Sequence, residues 1–147
     1  MKYIVALLGT LCMDLCTKEV ARRKLPLGKR IEIKKNCLFL QHIRNTGMAY
    51  HSCAGQKKLI LSLTGGIMAL YSMLFCKSMH QEKQNIGLCF ALAVTLGGAL
   101  GNFLERWKRG YVTDFLLILK GKNPPIFNLA DVAILFGSIA MVFLHEK

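Results

Sequence analysis

Ile86-Gly-Leu-Cys-Phe-Ala-Leu-Ala-Val-Thr-Leu-Gly-Gly-Ala-Leu-Gly-Asn-Phe-Leu104 is a run of 19 residues without a charged side chain. A helix that crosses the hydrocarbon core of a bilayer needs about 20 predominantly apolar residues, so this stretch predicts a transmembrane helix. Two more blocks share its character: residues 59–76, 18 positions with no charge, and residues 126–144, whose single charge is Asp131. A fourth block opens the chain. Residues 3–13 carry no charge, Asp14 follows, and the apolar character continues to Cys16. The pattern predicts an all-α membrane protein, a bundle of four transmembrane helices at about 3–17, 59–76, 86–104 and 126–144, in a single membrane domain covering residues 1–147. A chain that is 53% hydrophobic yet carries a formal net charge of +12 is anomalous for a soluble globule. It is ordinary for a membrane protein whose charges lie between its apolar blocks.

The first block imitates a secretory signal peptide, and residues 8–12 imitate a lipoprotein acceptor site. No Ala-x-Ala-like cleavage site follows, and Leu11 stands where a small residue would precede the acceptor cysteine, so the segment is read as an uncleaved helix. Between the first two blocks, residues 18–58 are not low-complexity. Ile31-Glu32-Ile33-Lys34 alternates apolar and charged positions and residues 37–43 are rich in apolar ones, which predicts one or two strands on the membrane surface. Asn45-Thr46-Gly47 signals a turn, and Asn123-Pro124-Pro125 ends whatever precedes it and delivers the chain into the last helix. The six cysteines form no Cys-x-x-Cys pair and read as small packing residues. The four histidines are scattered without ligand spacing, so no metal site is expected.

Chemistry is expected at the acids. The chain has three aspartates, Asp14, Asp114 and Asp131, and two of them interrupt apolar helices. A carboxylate in hydrocarbon is unfavourable by at least about 2.5 kcal/mol at mid-helix, which makes such residues functional candidates. Asp14 has Lys18 four positions on, on the same face and in the favourable acid-first order, and reads as half of a structural pair. Asp131 has no Lys or Arg within a helical turn. If the last helix starts near Ile126, Asp131 sits about 7 Å below the surface, and an unpaired buried carboxyl group tends to keep its proton. Asn128 lies three residues earlier on the same face. Asp114 lies 17 residues before Asp131 in a loop, and the Pro-Pro turn allows that loop to fold back over the last helix. Two carboxyl groups at one interface suit peptide hydrolysis: the ionised one activates water and the protonated one polarises the scissile carbonyl. Asn102, Glu105 and Arg106 share one face at the end of the third helix. Upstream, Gly97-Gly98-Ala99-Leu100-Gly101 reads as a helix-packing surface.

These residues resemble those of bacterial lipoprotein signal peptidase, also called signal peptidase II. Five stretches carry the resemblance in the family's order: Asp14-Leu-Cys-Thr-Lys18, Asn45-Thr-Gly-Met-Ala-Tyr50, Gly97-Gly-Ala-Leu-Gly-Asn-Phe-Leu-Glu-Arg106, Gly110-Tyr-Val-Thr-Asp-Phe115 and Phe127-Asn-Leu-Ala-Asp131. The resemblance implies a four-helix bundle with a small extracytoplasmic β-cradle. It also implies cleavage of diacylglyceryl-modified prolipoproteins just before the lipidated cysteine. The family's catalytic pair maps onto Asp114 and Asp131, and its supporting residues map onto Asn45, Gly47, Asn102, Arg106 and Asn128. Asp14, Lys18 and Glu105 take structural parts. The resemblance implies no cofactor, inhibition by globomycin, prolipoprotein substrates and membrane lipids as partners, no nucleic acid, and a monomer in the bacterial cytoplasmic membrane. Three positions depart from the family pattern and would mark a divergent member: Glu105 stands where Asp is usual, Tyr50 replaces Phe, and Met48 replaces a small residue. Two other readings of the same residues are a non-catalytic paralogue that binds lipidated peptides and a small proton-linked transporter.

Of 20 Lys and Arg, 11 lie in residues 18–58 and 5 in 105–125, all on one side of a four-helix layout. The positive-inside rule would make that side cytoplasmic. The resemblance implies the opposite, cytoplasmic termini and a site near the outer face, and basic patches also bind anionic headgroups. Single cysteines placed across residues 18–58 should therefore label in intact cells; labelling only after lysis would reverse the orientation.

Overall fold

The computed structural model describes residues 1–47, 53–81, 84–118 and 124–145. The decisive apolar block becomes helix α3, Ile86–Arg109, which packs against every other helix: α1 (Lys2–Lys24), α2 (Lys57–Met79) and α4 (Leu129–His145). Asn85 starts α3 by accepting the Leu88 N–H at 3.0 Å, and its amide donates to Leu144 O at 2.8 Å, which ties the start of α3 to the end of α4. Gly110 ends α3 in the left-handed region, φ 80°, which a glycine enters without a Cβ penalty.

Small residues set the distance between the helices. A Cβ on Gly97 would press on the backbone of Leu7, one on Gly98 would lie 2.8 Å from Ala130 O, and one on Gly101 would collide with the Asp14 carboxylate. The glycine run is thus the packing surface expected of it, and α3 meets α1 and α4 almost backbone to backbone.

The first three helices are longer than their apolar blocks. α1 runs to Lys24 rather than stopping near residue 17, because Asp14 and Lys18 satisfy each other inside the protein and the helix continues through them. α3 runs five residues beyond Leu104. Among the described residues, two helices, α2 and α3, are long and apolar enough to cross a membrane by length and composition; α4 is apolar but shorter.

The remaining strands are β1 (Arg30–Lys34), β2 (Leu38–Asn45), β3 (Val112–Ile118) and β4 (Ile126–Phe127), in an antiparallel sheet of order β1-β2-β3-β4. The first two were expected. The other two correct the reading of 105–125 as a loop and of Ile126 as the start of the last helix. β3 escapes an alternation test because both its faces are covered: residues 112–115 are all buried, between the rest of the sheet, α1 and α3. Ile126 and Phe127 pair with Leu117 and Leu116, so α4 starts only at Leu129 and Asp131 lies in its first turn instead of a full turn down. The cysteines also differ from expectation. Cys89 is buried, but Cys12, Cys16 and Cys76 are exposed on the outward faces of their helices, and Cys37 is exposed in the turn between β1 and β2. Met48, Tyr50 and Asn123 lie outside the described residues.

Replacing Gly98 or Gly101 by Ala should destabilise the protein by about 1–3 kcal/mol through overpacking. That would appear as a melting midpoint several degrees lower in detergent. Gly66→Ala, where an added Cβ meets nothing within 4 Å, should leave the midpoint unchanged or slightly higher.

Candidate active site

Asp114 sits in the middle of β3, and the sheet register places it opposite Ile43 of β2. Two residues further along β2, Asn45 turns its amide onto Asp114 Oδ2 at 2.9 Å, while its own Oδ1 accepts the Gly47 N–H at 3.0 Å. Asn128 completes the surroundings by donating to Asp114 Oδ1 at 2.7 Å. Asp114 is only 3% exposed. Burial, reinforced by the negative charge of Asp131, pushes its pKa up to about 6, against the opposing pull of the Asn45 and Asn128 amides and the Lys18 charge.

Asp131 is placed by the way α4 begins. Asn128 precedes the helix, and its Oδ1 accepts the Asp131 N–H at 3.1 Å; Asp131 Oδ2 in return accepts the Asn128 N–H at 3.1 Å. This reciprocal pair is a capping box, with Asn and Asp in the places where Ser or Thr and Glu are commoner. The other carboxylate oxygen, Oδ1, accepts from the Asn102 amide at 2.8 Å. Asp131 is therefore not unpaired, as its sequence surroundings suggested; its partners are amides instead of cations.

Among the described residues each of the four carboxyl oxygens accepts one protein hydrogen bond, which leaves each a lone pair for water or substrate. Both groups line a cavity of about 900 Å³ between α2, α3, α4 and the sheet. Its polar end also carries Asn45, Asn102 and Arg106, and its long wall is apolar, with Ile60, Ile67, Met68, Leu96, Ile134 and Leu135. Arg106 is buried, donates to Gly47 O at 2.9 Å and lies in the field of both aspartates. Among the described residues its Nε has no partner. No three His, Cys, Asp or Glu side chains gather to hold a metal among the described residues.

Asn45, Gly47, Asn102, Arg106 and Asn128 surround the two aspartates, and Asp14, Lys18 and Glu105 lie directly behind them. Asp14 and Lys18 form a fully buried pair at 2.6 Å. Among the described residues Glu105 forms no ion pair with Arg106, since adjacent positions on a helix do not face each other. It accepts instead from Arg22 Nη1 at 2.5 Å and from the Thr113 N–H and hydroxyl at 3.0 and 2.7 Å. Arg22 and Thr113 were missed. A signal for Arg22 existed: Asp14, Lys18 and Arg22 repeat every four residues along one face of α1. Thr113 lies in the Gly110–Phe115 stretch that carries the resemblance, but its partner was not legible, because only the β3 register brings it to Glu105.

The family model described as Signal peptidase (SPase) II matches residues 6–145. The chain belongs to the signal peptidase II family. Among its relatives, the lipoprotein signal peptidase of Shouchella clausii (strain KSM-K16) is 37% identical over 137 residues, 93% of this chain and 87% of that protein. The lipoprotein signal peptidase of Halalkalibacterium halodurans is 36% identical over 143 residues, 97% and 88% of the two chains. A solved bacterial membrane enzyme, determined by the in meso method at 2.3 Å resolution, superposes with a TM-score of 0.87 at 26% identity, covering 97% of this chain and 85% of its own. Membership of the signal peptidase II family makes the chain a protease, and the neighbouring fold is that of a membrane enzyme.

The raised Asp114 pKa has a thermodynamic signature. The folded state holds the proton up to about pH 6, whereas the unfolded chain releases it near 3.8. Asp114 therefore contributes stability at low pH that is lost as pH rises through about 6. Relative to Asp114→Asn, the wild-type unfolding free energy should fall by about 1–3 kcal/mol between pH 4 and pH 6.5. Parallel melting curves across that range in detergent test it; a constant offset between the two proteins contradicts it.

Proposed function

We propose that this protein is a membrane aspartic endopeptidase that removes signal peptides from diacylglyceryl-modified prolipoproteins, cutting just before the lipidated cysteine. The observation that carries the reading is the placement of Asp114 and Asp131 at the polar end of one cavity, held by asparagines from β2, from α3 and from the turn that starts α4. Asp114, pushed up to about 6 by burial beside Asp131, is the member that carries the shared proton and polarises the scissile carbonyl. Asp131 takes the proton of the attacking water. The proton then passes to the leaving nitrogen, and the peptide bond breaks.

The apolar wall of the cavity supports a lipidated substrate, since acyl chains lose nothing by leaving bilayer for Ile60, Ile67, Leu96 and Leu135. In this reading α1 and α4 cross the membrane along with α2 and α3, the whole chain is one membrane domain, and both termini are cytoplasmic. The sheet lies on the outer face, Arg106 and Gly47 frame the substrate backbone, and the enzyme works as a monomer without a cofactor.

Incubating the purified protein with a lipidated prolipoprotein tests the proposal. Asp114→Asn and Asp131→Asn should each lower cleavage by at least about 1,000-fold, because members of a catalytic pair act as a unit, while both variants still accumulate in membranes. Globomycin should block the wild-type reaction. Cleavage persisting in either variant refutes the assigned roles.

A further inference from the structure

Lys18 has no exposed surface and does not line the cavity. Its ammonium lies 2.6 Å from Asp14 Oδ2, 2.7 Å from Asn102 Oδ1 and 3.6 Å from Glu105 Oε2. The Asn102 contact constrains the far end of that amide. An ammonium has three donors and no acceptor, so only the carbonyl oxygen of Asn102 can face it, and the NH2 group must then face the other way. It meets Asp131 Oδ1 at 2.8 Å. Turned by 180°, the same amide would set NH2 against an ammonium and a carbonyl oxygen against a carboxyl oxygen, exchanging two charge-assisted hydrogen bonds for two repulsions. The Asn102 carbonyl also accepts from Asn128 Nδ2 at 3.2 Å, and that nitrogen donates to Asp114 Oδ1 as well. Lys18 is thus the fixed end of a network of hydrogen bonds that reaches both carboxyl groups through two asparagines.

We propose that Lys18 is a positioning residue: it locks the Asn102 amide in the one orientation that donates to Asp131, and through Asn128 it steadies Asp114. Asp14 is the counter-charge that allows an ammonium to stay there, and it is anchored in turn by the Ala130 N–H at 3.0 Å. Burying a charge pair adds little stability compared with an apolar pair of the same volume. What the pair supplies is a donor with no acceptor character, which leaves the Asn102 amide a single favourable orientation. The inference rests on the reading of Asp114 and Asp131 as the catalytic pair.

The test removes the two charges together, so that neither remains buried alone. Asp14→Asn/Lys18→Met has no donor for Asn102; Asp14→Asn/Lys18→Gln restores a neutral one. Both are measured on a lipidated prolipoprotein, with melting midpoints taken in parallel. The Met pair should lower kcat by about 10- to 100-fold, the scale of a misplaced reacting group, with KM changed less than about threefold because the cavity wall is untouched. The Gln pair, at a matching melting midpoint, should recover at least about fivefold of that loss. Wild-type kcat in the Met pair, equal losses in the two pairs, or failure of the pairs to accumulate in membranes would each overturn the proposal. If Asp131→Asn is inactive while the Met pair is fully active, the positioning role alone fails; if Asp131→Asn still cleaves, it is the catalytic assignment that fails.

Discussion

A charge carried into the interior of a helix bundle must find its partner there, and here that requirement holds three helices in one arrangement. Asp14 Oδ2 is paired with Lys18 on its own helix, but Oδ1 accepts the Ala130 N–H, one of the amides that the first turn of α4 leaves without an intrahelical partner. Lys18 in turn reaches Asn102 and Glu105 on α3. Removing one member of such a cluster is far more damaging than replacing all of it, by about 3–5 kcal/mol, since the remaining charge is left buried and unpaired. The cluster also explains Gly101, the position at which α3 must leave room for the Asp14 carboxylate. It explains why α1 does not end where its apolar residues do, since its last turns, with Arg22, are needed against Glu105.

The sheet supplies the other constraint. β2 and β3 are paired through a bulge between Leu40 and Ile43, after which Ile43 stands opposite Asp114 and Asn45 opposite Val112. An extra residue in one strand re-aims the side chains beyond it, and here the re-aimed stretch ends at Asn45, whose amide meets Asp114. β4 then holds the chain in register with β3 until Asn128, where a capping box turns it into α4. Asn128 serves two purposes with one side chain: its oxygen starts the helix and its nitrogen holds Asp114. The same geometry that terminates a strand and begins a helix brings the two acids to one cavity.

Much of this was open to reading without coordinates, for reasons particular to each residue. The blocks at 59–76 and 86–104 announce helices because nothing but an apolar environment tolerates so many uncharged residues in succession. Asp14 with Lys18 announces a pair because four residues make one helical turn. Asp114 and Asp131 stand out because aspartate is rare in this chain and apolar neighbours surround both. β3 was not legible, since a strand covered on both faces shows no alternation, and neither was the late start of α4, since Ile126 and Phe127 suit a helix and a strand equally well. The partners of Glu105 were not legible, because Arg22 and Thr113 reach it only when α1 and β3 pack against α3.

The sequence by itself determined the apolar segments, the identity of the few acids placed among them, and the motifs shared with the signal peptidase II family. Each depends only on composition or on spacing along one helix. Tertiary structure alone decided which way the Asn102 and Asn128 amides face, that Glu105 answers to Arg22 and Thr113, and that burial raises the pKa of Asp114 to about 6. The physical reason is the same in all three: hydrogen-bond direction and desolvation are properties of the space between elements, and that space is defined only when residues far apart in the chain are packed against one another.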